Sequence, residues 1–408
     1  MNKCRMCKSD KLTLFLDLGF TPPADSFLSK DELQKEETYY PLQVFMCETC
    51  GLAQLGYVVP KDVLYRNDYP YESSMTSTGR KHWGKFAADV SKKIKLCEDD
   101  LVVDIGSNVG VLLLSFKNCG ARVLGVDPAE NIVKIANKNG IDTVCDFFGV
   151  QAAERIVKEK GQAKVITGTN VFAHIDDLDD LMKGVNILLR KDGMFVFEVP
   201  YLVNLICNNE YDTIYHEHLS YISVKPLIKF FDRFDMEIFD IIESHIHGGS
   251  IRVFVNNRSM RHVSVKVQDL LKEEERISLY SKETLLDFAA RVSFNRSTLF
   301  EMLFSLNKSG KKIVAVSAPA KGMTLLNYCN IDGNLIDFVT EKSTLKIGRY
   351  TPGKHIPVVP DSELVSAGAD YALLLAWNFA DEIIRNLDNY RRKGGKFIIP
   401  IPMPKIVE

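Results

Sequence analysis

The sequence has no strong excess of charge, because 51 Lys and Arg residues nearly balance 53 Asp and Glu residues and leave a formal net charge of −2. Such a chain lacks the overall basic field that steers proteins to nucleic acids or anionic membranes. No apolar run approaches the roughly 20 residues that cross a bilayer. The first ten residues lack the apolar core of a secretory signal. We therefore expect a cytoplasmic protein with no nucleic-acid or membrane partner.

The length, 408 residues, is too great for one compact core. Strand-like runs alternate with helical patterns over 101–200 and again over 313–402, and this rhythm predicts parallel sheets with helices on both faces. The segment 265–306 is helix-periodic and contains neither Pro nor Gly. We expect an α/β chain with a small N-terminal domain over 1–74 and two Rossmann-like domains over 75–258 and 259–408.

Four of the nine cysteines occur as two CxxC pairs, Cys4 with Cys7 and Cys47 with Cys50. Each pair makes a tight turn that directs both thiolates inward, and two such turns complete a tetrahedral sulfur shell suited to Zn²⁺. The alternative is a set of unrelated reduced thiols, which describes the other five cysteines. Four protein ligands leave no open position for chemistry, so the sequence predicts a structural zinc ion in the domain over 1–74.

A glycine loop follows the first strand of the central region in "VVDIGSNVG" (102–110), but the GxGxxG pattern of dinucleotide sites is missing. Gly106 permits a tight turn close to a ligand, and Asp104 at the strand end can face a cationic group. Asp127 ends the next strand, where an acid binds ribose hydroxyls. This spacing predicts a nucleoside site and does not identify the nucleoside.

Histidine is also scarce, yet two of the eight histidines fall in "YHEHLSY" (215–221). By itself, this stretch fits a metal site, a proton-transfer site or an ordinary polar strand end. His216 and His218 are two residues apart, so in a strand both rings point to one face and can ligate a metal with Glu217. This stretch is therefore compatible with a zinc-dependent hydrolase or oxygenase.

The D-I-G-S-N-x-G stretch resembles the first motif of class I S-adenosylmethionine methyltransferases, and Asp127 matches their ribose-binding acid. The resemblance implies S-adenosylmethionine as cofactor. In "CDFFG" (145–149), an acid and aromatic side chains match the place that receives adenine. The cofactor residues expected from this resemblance are Asp104, Gly106, Asn108, Asp127, Pro128, Asp146, Phe147 and Asn170. One departure is Val109, which stands where the motif usually has an acid.

Several longer segments resemble the three-domain sugar C-methyltransferases, which methylate nucleotide-linked 4-keto-6-deoxyhexoses at carbon 3 through an enolate. The resemblance runs from Cys4 to Val358 and includes the paired cysteines, "DYPYESSMT" (68–76), "NVFAHI" (170–175), "EVPYL" (198–202), "YHEHLSY", "HGGSIRVFV" (247–255), "APAKGMTLLNYC" (318–329) and "GRYTPGKHIPV" (348–358). It implies that a nucleotide-sugar lies between the domains and that the C-terminal domain contributes to its binding.

The resemblance implies that His218 is the base, that Tyr215 and Glu217 support it, and that His174 and Tyr71 lie around the reacting sugar. The side chains expected to contact the rest of the substrate are Tyr69, Tyr201, His247, Lys321 and Arg349. A C–H beside a ketone is a weak acid, so the reaction needs a base that titrates near neutrality and donors for the developing oxyanion.

Three alternatives remain open at this point. The enzyme could methylate an oxygen, or a carbon of a different nucleotide-sugar or small carbonyl compound. It could be the zinc-dependent hydrolase or oxygenase described above. It could also be a nucleotide-binding scaffold without catalysis. For the assembly, we expect a monomer, with a dimer as the alternative.

Overall fold

Three β-sheets organise the chain in the computed structural model, which describes residues 3–65 and 77–408. The first sheet is antiparallel and contains β1 (Leu12–Thr21), β2 (Tyr40–Cys47) and β3 (Ala53–Leu55), with the later strand Ser220–Tyr221 added beside β3. A 3₁₀ turn (Lys30–Gln34) lies between β1 and β2, and helix α1 (Lys61–Tyr65) follows β3. The first sheet therefore includes two residues from the middle of the chain.

The second sheet has seven strands in the order β10-β11-β8-β7-β4-β5-β6. Strands β4 to β8 on this sheet are parallel, whereas β11 runs antiparallel to both β8 and β10. The strands are β4 (Leu101–Ile105), β5 (Arg122–Asp127), β6 (Thr143–Cys145), β7 (Ala163–Thr169), β8 (Leu189–Pro200), β10 (Met236–Ser244) and β11 (Ser250–Asn257), with Ser220–Tyr221 numbered β9. The helices are α2 (Ser77–Ile94), α3 (Val111–Asn118), α4 (Glu130–Lys138), α5 (Val150–Lys160), α6 (Leu178–Leu188), α7 (Leu202–Cys207) and α8 (Val224–Asp232).

Strand β4 shows why this part of the chain folds as a doubly wound sheet. All five of its residues are buried, as expected for a parallel strand covered by helices on both faces. The expected α/β fold is confirmed. Strand β10, which was not predicted from the sequence, pairs antiparallel with β11 along eight residue pairs.

The third sheet has the order β14-β13-β12-β15-β16-β17 and is parallel except for β17. Its strands are β12 (Ile313–Val316), β13 (Val339–Glu341), β14 (Val358–Pro360), β15 (Tyr371–Leu374), β16 (Lys396–Ile399) and β17 (Lys405–Val407). Two long helices, α9 (Val265–Arg276) and α10 (Lys282–Lys308), precede it, and the sheet is accompanied by α11 (Ala320–Tyr328), α12 (Glu363–Ser366), α13 (Ala380–Asn386) and α14 (Asp388–Arg392). We propose that the three sheets mark the three domains expected over 1–74, 75–258 and 259–408.

One hydrophobic core joins the first and third sheets. Side chains of β1 and β2, such as Leu18 and Leu42, belong to the same buried cluster as Phe288 of α10 and Leu326 of α11. The small N-terminal sheet is therefore held by the C-terminal half of the chain. Within the described residues, none of the helices is both long and apolar enough to span a bilayer.

Candidate active site

A cavity of about 790 Å³ opens at the carboxyl ends of β4, β5 and β7. This volume lies in the range of small-molecule sites, and ligands of open α/β sheets bind at this edge. Its walls come from the central domain and from the N-terminal domain, which contributes five residues between 58 and 65. Of the cofactor residues expected from the sequence, those lining it are Asp104, Gly106, Asn108, Asp127, Pro128, Asp146, Phe147 and Asn170.

The carboxylate of Asp127 fixes the glycine loop at the bottom of this cavity. The backbone N–H of Asn108 donates to Oδ2 of Asp127 at 2.9 Å, and the N–H of Ala129 donates to Oδ1 at 3.0 Å. Burial raises the pKa of Asp127, while both backbone hydrogen bonds oppose this shift. The turn also depends on Gly106, which has a φ of +65°. The strand-end acid thus stabilises the loop and faces the cavity.

Asp104 is buried at the end of β4, where it accepts a hydrogen bond from the Thr167 hydroxyl at 2.7 Å. Burial raises the pKa of Asp104 to about 7, and the Thr167 hydrogen bond partly offsets the rise. At the opposite wall, Asp146 forms an ion pair with Arg155 at 2.7 Å. The Lys61 ammonium lies 4.1 Å from the centre of the Phe147 ring, so the N-terminal domain touches the aromatic wall directly.

The side-chain oxygen of Asn170 indicates that a ligand binds at the cavity wall. This residue has a φ of +57°, and its N–H donates to the carbonyl of Glu198 at 2.7 Å. Its side-chain oxygen is buried and has no hydrogen-bond partner within the described chain. A buried polar atom without a partner costs free energy, so a ligand group at the cavity wall would relieve this cost. Together with Asp127, Asn170 fits a nucleoside cofactor such as S-adenosylmethionine.

The four paired cysteines form the one group of possible metal ligands found among the described residues. Their ligand atoms all lie within 4.8 Å of one another, and three of the four residues are buried. The Sγ atoms of Cys4 and Cys50 are 3.5 Å apart, as are those of Cys7 and Cys47. A tetrahedral zinc site with Zn–S bonds of 2.3 Å has sulfur atoms about 3.8 Å apart, so the geometry suits zinc.

Two histidine rings meet beside the cavity, with their centroids 4.9 Å apart. His174 lines the cavity in a 3₁₀ turn after β7, and Leu219, the neighbour of His218, also lines it. The Nδ1–H of His218 donates to the backbone carbonyl of Thr213 at 2.7 Å. A carbonyl can only accept a hydrogen bond, so the neutral His218 ring carries its proton on Nδ1 and Nε2 is the basic nitrogen.

His174 differs from His218 in its environment. Its Nδ1 lies 3.3 Å from the hydroxyl of Tyr65, and its Nε2 is buried without a partner within the described residues. Burial, and secondarily the neighbouring His218, holds the pKa of His174 well below its usual range. The ring is therefore neutral at pH 7. Tyr65, which also lines the cavity, was not predicted from the sequence because its partner is 109 residues away.

The other members of YHEH have separate neighbours. The Tyr215 ring lies against His218, with centroids 3.9 Å apart, and Glu217 is buried. The pKa of Tyr65 is raised well above its usual range, first by burial and then by the Glu217 carboxylate. The Nε2–H of His216 donates to the carbonyl of Tyr40 at 3.3 Å, away from the carbonyl that His218 contacts. Neither imidazole belongs to the group of possible metal ligands found among the described residues, so the structure does not support the metal site of the hydrolase hypothesis.

The remaining predicted substrate residues lie in several places. The Tyr201 hydroxyl donates to the buried carboxylate of Glu274 at 2.9 Å. Arg349 donates from Nη1 to the carbonyl of Phe27 at 3.3 Å. His247 belongs to the 3₁₀ turn Ile246–Gly248. Tyr69 and Tyr71 lie outside the described residues. Their predicted contacts with substrate stay predictions.

Lys321 lies at the start of α11, but its ammonium already has protein partners. It donates to the side-chain oxygen of Asn378 and lies 4.3 Å from the centre of the Trp377 ring. Burial lowers the pKa of Lys321, whereas the charges of Asp212 and Glu210 oppose the shift. This group was not recognised in the sequence because its members come from two different domains.

Three family models match successive parts of the chain: "Putative zinc binding domain" over residues 4–65, "Methyltransferase domain" over 80–241 and "C-methyltransferase C-terminal domain" over 245–402. The C-methyltransferase NovU of Streptomyces niveus is 36% identical over 408 residues, covering 100% of this chain and 97% of NovU. The sterol 4-C-methyltransferase strm-1 of Caenorhabditis elegans is 27% identical over 133 residues, covering 32% of this chain and 38% of its own length. A solved S-adenosylmethionine-dependent methyltransferase from Clostridium acetobutylicum covers 44% of this chain and 92% of its own, with a TM-score of 0.36 and 15% identity.

Proposed function

We propose that this chain methylates carbon 3 of a nucleotide-linked 4-keto-6-deoxyhexose. The premise is that the chain belongs to the zinc-containing, S-adenosylmethionine-dependent C-methyltransferase family. The cofactor, when bound, supplies an electrophilic methyl group. The acceptor carbon must then become nucleophilic, which requires removal of a proton beside the ketone. The observation that carries the proposal is the pair His174 and His218 beside the cofactor cavity.

His218 is the proposed base. Its Nδ1 proton is held by the Thr213 carbonyl, so Nε2 is the nitrogen that can accept the proton from carbon 3. The accepted proton gives an imidazolium that keeps its Nδ1 hydrogen bond, which becomes stronger when the donor is charged. Tyr215 packs against this ring and restricts its orientation. Glu217 is the proposed supporting carboxylate.

His174 is the proposed donor to the developing enolate oxygen. A neutral imidazole can stabilise an oxyanion by hydrogen bonding and keeps its proton more firmly than an imidazolium does. The Tyr65 hydroxyl lies at Nδ1 of His174. When this hydroxyl donates, the ring proton resides on Nε2, the nitrogen that has no partner within the described residues. We propose that this N–H points to the substrate ketone.

The test uses zinc-loaded enzyme, S-adenosylmethionine and a nucleotide-linked 4-keto-6-deoxyhexose in deuterated water. The wild type is expected to exchange the carbon 3 proton for solvent deuterium in sugar that has not been methylated, and to transfer the methyl group to the same carbon in the product, which then carries no hydrogen there. His218→Ala should reduce both reactions by about 10² to 10⁴-fold, the usual contribution of a general base. His262→Ala alters an exposed histidine and serves as the matched control.

Each contrary result has a separate meaning. A His218→Ala enzyme with full turnover would disprove the base assignment while leaving the substrate class intact. Methyl transfer only to a different carbonyl compound would disprove the substrate class. Cofactor binding without transfer to any nucleotide-linked keto sugar supplied would also count against this substrate.

A further inference from the structure

A short 3₁₀ turn, Tyr211–Thr213, precedes YHEH and lies against the C-terminal domain. Its central residue, Asp212, is fully buried. The indole Nε1–H of Trp377 donates to Oδ2 of Asp212 at 2.6 Å. Trp377 follows β15, so a hydrogen bond to a buried carboxylate connects the C-terminal sheet to the turn. A bond of this kind, between a charged acceptor and a directional donor, restricts geometry as well as adding stability.

Tyr211, in the turn, and Ile214, directly after it, are also held by the C-terminal half of the chain. The Tyr211 hydroxyl donates to Oδ1 of Asn295 in α10 at 2.8 Å. The Thr324 hydroxyl, in α11, donates to the carbonyl of Ile214 at 2.9 Å. Elements from outside the methyltransferase sheet thus fix the backbone on both sides of Asp212.

This turn also contains the acceptor for the base. The carbonyl of Thr213, the residue after Asp212, accepts the Nδ1–H of His218 at 2.7 Å. The Thr213 hydroxyl donates to the carbonyl of Glu210 at 2.7 Å, which closes the turn internally. Movement of the turn would therefore move the backbone carbonyl that holds the Nδ1 proton of His218.

The charged groups around Asp212 offer a second way to hold it. Lys321 lies above the Trp377 ring, and its charge acts on Asp212 and on the buried Glu210. The other carboxylate oxygen of Asp212, Oδ1, is buried without a hydrogen-bond partner in the described chain. A test must therefore separate the hydrogen bond from Trp377 from the charge interaction with Lys321.

We propose that Asp212 and Trp377 are positioning residues for His218, an inference that rests on the proposed role of this histidine as base. The C-terminal domain acts through them: the indole holds the carboxylate, the carboxylate holds the turn, and the Thr213 carbonyl keeps the ring proton on Nδ1. If the turn relaxes, the tautomer with its proton on Nε2 becomes accessible. That tautomer cannot accept a proton at Nε2, so the fraction of competent enzyme falls.

The first measurement is the ¹⁵N spectrum of histidine-labelled, zinc-loaded protein with S-adenosylhomocysteine, and His218→Gln assigns the signals of His218. The wild type should show a protonated Nδ1 and an unprotonated Nε2. Trp377→Phe removes the indole donor and should shift both signals toward a mixture of tautomers. Tyr390→Phe removes another hydrogen bond within the C-terminal domain, to the Lys396 carbonyl, and should leave the tautomer unchanged.

Asp212→Asn separates hydrogen bonding from charge, because the amide oxygen still accepts from Trp377 but the negative charge is gone. It should keep the wild-type tautomer, whereas Asp212→Ala should not. In the deuterium-exchange assay, Trp377→Phe and Asp212→Ala should lower the kcat for exchange of the carbon 3 proton by about tenfold. This factor corresponds to the loss of one hydrogen bond to a charged group. KM for S-adenosylmethionine should not change.

The proposal is wrong if Trp377→Phe keeps both the tautomer and the exchange rate. It is also wrong if Asp212→Asn is as impaired as Asp212→Ala, because the charge interaction with Lys321 would then hold the turn. The tautomer measurement needs no sugar and is therefore independent of the substrate proposal. If His218 is not the base, the ¹⁵N signals would still respond, but His218→Ala would remain active.

Discussion

Two histidines that are two residues apart have different surroundings, and this difference determines what each can do. His218 packs against Tyr215 and His174, beside the cofactor cavity. His216 contacts Tyr40 at the beginning of β2, where its ring packs edge-on at 5.9 Å. Burial lowers the pKa of His216 to about 4, so this ring is neutral in the folded protein. We interpret His216 as a structural contact between two domains.

His216 should make the protein less stable in acid. Its pKa is about 4 when folded and about 6.5 when unfolded, so below pH 6.5 the unfolded chain binds a proton that the folded chain does not. The free energy of unfolding should therefore fall as the pH drops from 6.5 toward 4, by about 1.4 kcal/mol at pH 5.5. Urea unfolding at pH 7.5 and 5.5 should show this loss reduced in His216→Gln.

The matched control for this prediction is His262→Gln, which changes an exposed histidine. Its acid destabilisation should equal that of the wild type. An unchanged pH dependence in His216→Gln would show that other groups cause the acid sensitivity.

At the residue scale, the sequence predicted the residues that belong to short motifs. Gly106, Asp127 and Asn170 were expected around the cofactor, and they line the cavity. Tyr65 and Asp212 were not predicted. Asp212 receives its hydrogen bond from a residue 165 positions away, and no local pattern encodes such a contact.

At the scale of single elements, the loop after β4 depends on one glycine. A Cβ at position 106 would lie 2.3 Å from a methyl carbon of Val171, the residue between Asn170 and the turn of His174. The φ of +65° adds a backbone cost for any residue with a Cβ. A side chain at this position would therefore displace both the glycine loop and the opposite wall of the cavity.

Gly106→Ala should accordingly weaken S-adenosylhomocysteine binding by at least about tenfold, the factor that corresponds to the loss of one hydrogen bond to a charged group. Isothermal titration calorimetry measures this change. Gly120→Ala is a suitable control, because Gly120 has a φ of +93° but a Cβ there would meet nothing within 4 Å. It should lose some stability and keep its affinity. Equal affinities in the two variants would refute the steric argument.

Elements were predictable where their pattern is local. The buried strands of both parallel sheets are mostly apolar, and the helix-periodic segment 265–306 is observed as α9 (Val265–Arg276) and α10 (Lys282–Lys308). The two-residue strand β9 is too short to give a pattern, and its pairing with β3 joins positions more than 160 residues apart. Whether a strand joins the sheet of another domain depends on the tertiary fold, so local periodicity does not predict it.

At the scale of the whole molecule, the four-cysteine cluster is connected to the candidate active site by Arg5. This residue lies between Cys4 and Cys7 and is almost completely buried. Its guanidinium donates from Nη1 to the carbonyls of Leu55 and Leu219, each at 3.0 Å, and from Nε to Asp176 at 3.1 Å. Leu219 follows His218 directly, so the zinc knuckle contacts the backbone immediately after YHEH.

Loss of zinc should therefore affect cofactor binding, although zinc takes no part in the chemistry. Cys47→Ala removes one of four ligands at the end of β2, the strand that leads into the knuckle. We expect less than one zinc per chain by elemental mass spectrometry, a lower thermal midpoint and weaker binding of S-adenosylhomocysteine. The affinity should fall because five residues between 58 and 65 of the same domain line the cofactor cavity.

Cys119→Ala, which alters an exposed thiol outside the cluster, should keep the zinc, the thermal midpoint and the affinity of the wild type. Zinc loss in Cys47→Ala with unchanged affinity would show that the N-terminal domain does not close the cavity. Loss of affinity without loss of zinc would mean that the substitution acts on β2 directly. We expect zinc and affinity to be lost together, because Arg5 and the cavity-lining residues between 58 and 65 belong to the same small domain. The buried apolar residues of this domain cluster with those of the two other parts of the chain.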